Sequence, residues 1–427
     1  MGVVLGEREC FDVCVSHPER EVVGAERAEA LLAPLGDRDL EAIRHVKLSN
    51  KSYTIEAAEC VAAKLGDLFS VTSVDVSDVI AGRPEAEALR VLSRLAAAFA
   101  SRRLTAVDVS DNALGQKGID ALLPLLEAQR LKSLRICNNG MSAAAAEQLA
   151  SLVEAADLET FHYHNNMSGD EGAAAVARIV ERAPNLKDFR FSGTRAGRDG
   201  SLAVARSLEK LENLEKLDLV DNTLALSGGA AVASFISTRA PPLHTLDLRD
   251  CSLGDDGFKP IAEALEALGE LTHLDVSGNE LTPASVGFLP VTVVQRLLTL
   301  ALEDNEIQNA GSRNLATLLL RARPARLRAL LASTNEITST GALTLARAIA
   351  VACPGLAKLD LDGNGLSTDA LDQLPEILGE GVVLGPMDDN DEEAEEEEKE
   401  EEDAEVEALI AATEKHLSTT TTTTTTK

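Results

Sequence analysis

The stretch "SDVIAGRPEAEALR", residues 77–90, sets Arg83 between Gly82 and Pro84 in a chain whose net charge is -30. A guanidinium is a planar fork of donors that stays charged, suited to pairing with carboxylates and other anions. The plainer reading of the same residue is a poorly shielded surface arginine in a weak ion pair with Glu85 or Glu87, about 0.3 kcal/mol. "HYH" at 162–164 puts His162 and His164 on one side of a strand with room for a metal. No third ligand is near, so no metal is expected there and the pair is read as exposed side chains. "DLDGNG" at 360–365 has the outline of a calcium loop but lacks the closing Glu. The chain has no Gly-Lys dipeptide and hence no P-loop, no G-x-S-x-G, and no Cys/His arrangement for covalent catalysis. No cofactor is therefore expected in this chain.

The elements that must position Arg83 follow from an internal repeat, L-x-x-L-x-L-x-x-N, which recurs through most of the chain. Clear copies include "LTAVDVSDN" at 104–112, "LKSLRICNN" at 131–139, "LEKLDLVDN" at 214–222, "LTHLDVSGN" at 271–279 and "LAKLDLDGN" at 356–364. Weaker copies begin at "IRHVKLSNK", 43–51, and "VTSVDVSDV", 71–79. Each L-x-L core reads as a short parallel strand with its leucines inward, and the asparagine satisfies backbone groups in the turn that follows. A glycine-bearing loop and an Ala/Leu-rich helical segment complete the unit. The fold class expected is α/β: a leucine-rich repeat solenoid of ribonuclease-inhibitor type, a horseshoe with parallel strands on the concave face and helices on the convex face.

The repeat rhythm breaks once near Arg83. Consensus positions advance from Asn112 to Asn139 to Asn166 in steps of 27, but the step from Val79 to Asn112 is 33. The extra residues fall on the loop with Ala81, Gly82, Arg83 and Pro84, and insertions in a solenoid map to loops on one edge, often the binding edge. Pro84 suits the start of the helix that follows.

With 427 residues, 45% of them hydrophobic, the chain can bury a large core. Its acidity argues against nucleic acid, whose phosphates need a basic footprint, and favours a basic partner. Six scattered cysteines without ligand spacing read as reduced thiols, and no stretch approaches the ~20 apolar residues of a membrane span. The expected organisation is a leader of unknown role at 1–24, about 12 repeats over 25–384, an acidic disordered tail at 385–408, and a short helix with a threonine tract at 409–427. The acidic run holds about half of the net negative charge. As a mobile segment it would speed encounters with a basic patch in a salt-dependent way, or serve solubility alone.

Together the repeat array, the early "DVIAGRPEAEALR" loop, "SDNALGQKG" in the next repeat and the acidic tail resemble the Ran GTPase-activating proteins. "LSNKSYTIEAA" and "HNNMSGDEGA" are similar to the plant and algal branch. Members of that branch carry a Trp-Pro-Pro targeting domain, and this chain, with no tryptophan, is read as lacking it. The resemblance implies an activator of a GTPase in trans, not an enzyme with a nucleotide site of its own. It implies Arg83 and Asn138 as the residues tied to activation, with Asn139 as the fallback, and a docking surface through Asp78, Gly82, Asp111, Asn112, His164 and Asn165. The implied partner is Ran in its GTP-bound form, with a Ran-binding-domain protein as a third component; GTP and Mg belong to the GTPase. A cytoplasmic, partly perinuclear location and a role in nucleocytoplasmic transport are implied as well. The alternative from a different class is a non-catalytic repeat scaffold or inhibitor, which requires neither the long step with its arginine nor the tail.

Overall fold

The computed structural model describes residues 9–15, 17–390 and 406–415, which fall into two compact units, Met1–Leu214 and Glu215–Lys427. In the first unit the strands are β1 (Cys10–Asp12), β2 (Val22–Val23), β3 (His45–Lys47), β4 (Ser52–Tyr53), β5 (Ser73–Asp75), β6 (Ala106–Asp108), β7 (Ser133–Arg135), β8 (Thr160–His164) and β9 (Asp188–Ser192). Its helices are α1 (Ala25–Leu32), α2 (Ile55–Leu65), α3 (Glu85–Ala97), α4 (Gly115–Leu126), α5 (Ala143–Leu152), α6 (Gly169–Val180) and α7 (Arg198–Ser207). Strands β1, β3, β5, β6, β7, β8 and β9 pair in that order, all parallel, and β2 pairs with β4 apart from them. Parallel neighbours need a crossover, and most are joined through a helix. The second residue of each of the central strands is apolar and sealed: Val46, Val74, Val107, Leu134, Phe161 and Phe189 are all buried.

The second unit repeats this plan with β10 (Lys216–Asp218), β11 (Thr245–Asp247), β12 (His273–Asp275), β13 (Thr299–Ala301), β14 (Ala329–Leu331), β15 (Lys358–Asp360) and β16 (Val383–Leu384), paired in sequence and parallel. Helices between these strands include α8 (Ala225–Arg239), α9 (Gly254–Ala264), α10 (Pro283–Val286), α11 (Val291–Val294), α12 (Gln308–Ala322), α13 (Ser339–Ala352) and α14 (Thr368–Leu378). The chain is an α/β leucine-rich repeat solenoid.

What stitches one repeat to the next is the consensus asparagine. Asn112, buried, donates through Nδ2 to Val76 O at 2.8 Å and Val109 O at 3.0 Å, while its Oδ1 accepts from Val79 N at 3.0 Å. Asn139, Asn166, Asn279, Asn305, Asn335 and Asn364 make equivalent bonds to turn carbonyls. At the N-terminal end Lys51 stands where the asparagine would be. Its fully buried ammonium donates to His17 O at 2.7 Å and to Glu19 O, and lies 3.9 Å from Glu21. The longer side chain reaches the segment that takes the place of a preceding repeat.

Two expected boundaries need correction. Residues 10–12 and 22–23, expected within the leader, supply β1 and β2 and belong to the fold. At the other end Asn390 extends the asparagine series, its Oδ1 accepting from Asn364 N at 3.0 Å, so the array runs past 384. Residues 391–405 of the acidic run and the threonine tract lie outside the described residues. The helix at 406–415 buries Val406, Ile410 and Thr413 and pairs Glu407 with Arg347 of α13 at 3.4 Å. Among the described residues no helix is long and apolar enough to cross a membrane.

Candidate functional site

The loop before α3 is a tight turn anchored to the preceding repeat. Arg83 N donates to Ile80 O at 3.1 Å, and Gly82, third in the turn, has φ +72°, which a type II turn demands and only glycine adopts freely. Ser52 of β4 buries its hydroxyl beneath the turn, donating to Ala81 O at 2.6 Å. The same oxygen accepts from Arg83 Nε at 3.0 Å, and Arg83 Nη1 reaches Glu87 Oε1 one helical turn on, at 3.2 Å.

The arginine is therefore not poorly shielded as the sequence suggested. Its side chain is only 15% exposed, with two edges of the guanidinium committed. The half-buried i,i+4 pair contributes little by itself. Its geometric effect is larger, because a fork held at two edges has few rotamers left. Ser52 is a site residue that sequence reasoning missed: it precedes Arg83 by 31 positions, and only the stacking of two turns brings them together.

Arg83 lines a groove of about 590 Å³ that runs between the start of α3 and the turn before α4. Ala88, Leu89 and Leu92 of α3 and Leu114 line it, Asp111 stands on its other wall, and an ion pair between Lys117 and Glu85 joins the two sides. From Asp111 a polar row continues across the next repeats. Asn138 Nδ2 donates to Asp111 Oδ1 at 2.8 Å, and Asn165 Nδ2 donates to Asn138 Oδ1 at 2.8 Å.

The row has a backbone cause. Asn50, Asp78, Asp111, Asn138 and Asn165 each stand one residue before the consensus position, with φ between +51° and +61°. Asn and Asp tolerate that left-handed region better than other side chains, since their short polar groups bond locally. The turn then aims each side chain outward while the following residue is drawn inside. Backbone bonds keep the spacing: Asp78 N to Ser110 O at 3.0 Å, Asp111 N to Cys137 O at 2.9 Å, Asn138 N to His164 O at 2.8 Å.

The structure divides the expected site residues into two groups. Asp111, Asn138 and Asn165 are exposed and linked; Gly82 is exposed in the Arg83 turn; Asp78 is half-buried and salt-bridged to Arg20, whose Nε lies 3.0 Å away. Asn112 and the fallback Asn139, by contrast, are sealed inside and cannot face a docked molecule. The Asn139 Oδ1 accepts from Asn112 N at 2.8 Å and its Nδ2 donates to Val109 O at 3.1 Å, so its amide serves the backbone. His164, at the end of β8, has its pKa held below the ordinary imidazole value, first by burial and next by Arg190 and His162, with Asp111 opposing. It is consequently neutral near pH 7 and offers hydrogen bonds rather than charge. His162 is not a free exposed group: its Nε2 lies 2.9 Å from Asp188 Oδ1.

A leucine-rich repeat family model matches residues 100–123, 240–262 and 271–288. Over 120 residues the chain is 40% identical to RAN GTPase-activating protein 1 of Arabidopsis thaliana, and over 121 residues it is 40% identical to RAN GTPase-activating protein 2 of the same plant. Each match takes in 28% of this chain, and it spans about a fifth of the relatives' length, 22% and 21%. Among solved structures, an internalin from Listeria monocytogenes aligns over 86% of both chains at 14% identity with a TM-score of 0.48. The chain is similar to the Ran GTPase-activating proteins.

Proposed function

We propose that this protein is a GTPase-activating protein for Ran, one that stimulates hydrolysis of Ran-bound GTP in trans. The observation that carries the proposal is one groove, walled by the inserted Arg83 turn and by Asp111, from which Asn138 and Asn165 continue as a hydrogen-bonded row. The similarity to RAN GTPase-activating proteins 1 and 2 of Arabidopsis supports the choice of GTPase.

Phosphoryl transfer asks little covalent chemistry of a protein; rate comes from positioned donors and from an ordered attacking water. On this reading GTP and Mg come with the GTPase, and this chain brings a restrained guanidinium and a row of amides to the edge of the partner's active site. Arg83 is assigned to activation itself rather than to a phosphate contact, because Ser52 and Glu87 already hold two of its edges. The GTP-bound form is the state that docks, a Ran-binding-domain protein completes a ternary complex, and the acidic run raises the encounter rate with basic patches on the partner. Hydrolysis driven in the cytoplasm, with a perinuclear share, would give nuclear transport its direction.

The test is single-turnover phosphate release from GTP-loaded Ran, alone, with the protein, and with Arg83→Ala. Donors supplied in trans raise such rates by about 10³ to 10⁵. Acceleration in that range that the folded Arg83→Ala protein largely loses supports the reading, and an unchanged intrinsic rate with the wild-type protein refutes it.

A further inference from the structure

The amide of Asn138 is not free to choose which way it faces. A carboxylate only accepts hydrogen bonds, so Asp111 Oδ1, at 2.8 Å, requires the NH₂ of Asn138 on its side. That places Oδ1 of Asn138 toward Asn165, whose NH₂ donates to it at 2.8 Å. Each bond runs in the same sense, from Asn165 through Asn138 to the carboxylate, and amides in such a chain polarise one another. Without the acidic end, an Asn at the centre would satisfy its neighbours nearly as well after a half-turn of its amide, and donor and acceptor would exchange places. The backbone cannot supply this choice, because φ of Asn138 is set by the repeat whichever way the amide points.

We infer that Asp111 and Asn165 are positioning residues: they orient the Asn138 carboxamide so that one remaining N–H and one remaining lone pair of Asn138 meet a docked partner in a fixed arrangement. The inference rests on the activator reading of this site. It separates the row from a plain docking strip, in which each exposed side chain would make its own contact.

The consequence is a kinetic signature. Asp111→Asn keeps size and tolerates φ +61°, but its side chain can donate as well as accept, so the direction of the chain is lost. It is expected to lower the single-turnover rate at saturating protein about 5- to 10-fold while the half-saturating concentration stays within about twofold. Asn165→Asp, which sets a second acceptor-only group opposite Asn138, is expected to do the same. In an Asn138→Ala background Asp111→Asn should add less than a twofold further loss, since two residues acting through one amide are not additive. Asp250→Asn, at the same repeat position in the second unit, is the control and leaves the rate unchanged.

A change confined to the half-saturating concentration would make Asp111 a contact residue and overturn the inference. So would a full additional loss in the Asn138→Ala background. Absence of acceleration by the wild-type protein itself would remove the activator reading and this inference with it, and is told apart by that first measurement. Melting curves of the exposed-site variants that overlay the wild type exclude misfolding as the cause.

Discussion

The same turn position behaves differently in the two units. In the first it reads Asp111, Asn138, Asn165, donor meeting acceptor twice at 2.8 Å. In the second it reads Asp221, Asp250, Gly278, Asp304, Thr334 and Gly363, with φ between +51° and +66° as before. The backbone is thus one device used throughout, whereas the side chains make a bonded row in one unit and in the other put three carboxylates, a threonine and two glycines at the same place. Burial first, and then the charges of Asp221 and Asp304, push the Asp250 carboxyl above its usual pKa. Like charges crowd the strands too: Asp218, Asp247 and Asp275 stand in register on β10, β11 and β12, with Arg249 spanning Asp247 at 2.8 Å and Asp275 at 3.3 Å. The comparison teaches that the repeat dictates where a side chain emerges, and that residue type alone decides whether neighbours cooperate or repel.

The largest effect should appear when the row is compared with the buried series beside it. Asn139→Ala leaves Asn112 N without its partner in the interior and takes one of two donors from Val109 O, which keeps Asn112 Nδ2; a buried orphan costs about 1–3 kcal/mol, so a loss of up to about 3 kcal/mol is expected. Asn138→Gly, one residue away, keeps the positive φ and removes only exposed bonds, so it should cost under about 1 kcal/mol. Urea unfolding of both variants measures the gap. Equal losses would mean that the exposed row is as much a part of the scaffold as the buried one.

How much of this was legible beforehand depends on whether a residue's role repeats. The strand, loop and helix periodicity was readable because a 27-residue step recurs, and the Arg83 loop stood out because one step is 33. The consensus rule that draws the Asn139 amide inward applies equally to Asn112, so the burial of Asn112 follows from the repeat and runs against the docking role expected for it. Ser52 and Lys51 could not be read. Ser52 acts between turns 31 residues apart, and Lys51 departs from the consensus because the segment before it is not a repeat. Neither contact leaves a periodic trace.

A second way to sharpen the comparison is to write the first unit's row into the second. At Gly278 a new Cβ would overlap Asp250 Oδ1, the end of a side chain that can swing away, and φ is +66°. Both Gly278→Asp and Gly278→Asn therefore lose the glycine's ease in that region. Only the asparagine can donate to Asp250 as Asn138 does to Asp111. Gly278→Asp is expected to destabilise by about 2 kcal/mol and Gly278→Asn by about 1 kcal/mol less, with the difference shrinking at high salt. If the two are equal at low salt, side-chain complementarity is not what distinguishes the rows.

The smallest effect concerns protons on the acidic strands. Burial, ahead of the charge of Asp247 and against the bonds from Ser277, pushes the Asp275 carboxyl up to about 6. A folded-state pKa above the unfolded value means that the folded protein binds more protons than the unfolded chain between about pH 4 and 6. Asp275 therefore favours the fold at the acid end of that window, and its contribution is lost as pH rises through about 6. Above that, the charged carboxylate is a net penalty that Arg249 only partly offsets. Asp275→Asn retains an oxygen for the Ser277 N–H, 3.1 Å away, and cannot ionise. It is expected to stabilise the protein by about 1 kcal/mol at pH 8 and to give no gain near pH 4. A change at the turn position of the first unit, Asp111→Asn, instead removes the acceptor end of a bonded row and should bring no such gain at pH 8. Thermal melts of both variants at the two pH values separate the cases, and a gain for Asp111→Asn equal to that of Asp275→Asn would mean that the first unit's carboxylate is as poorly compensated as the second's.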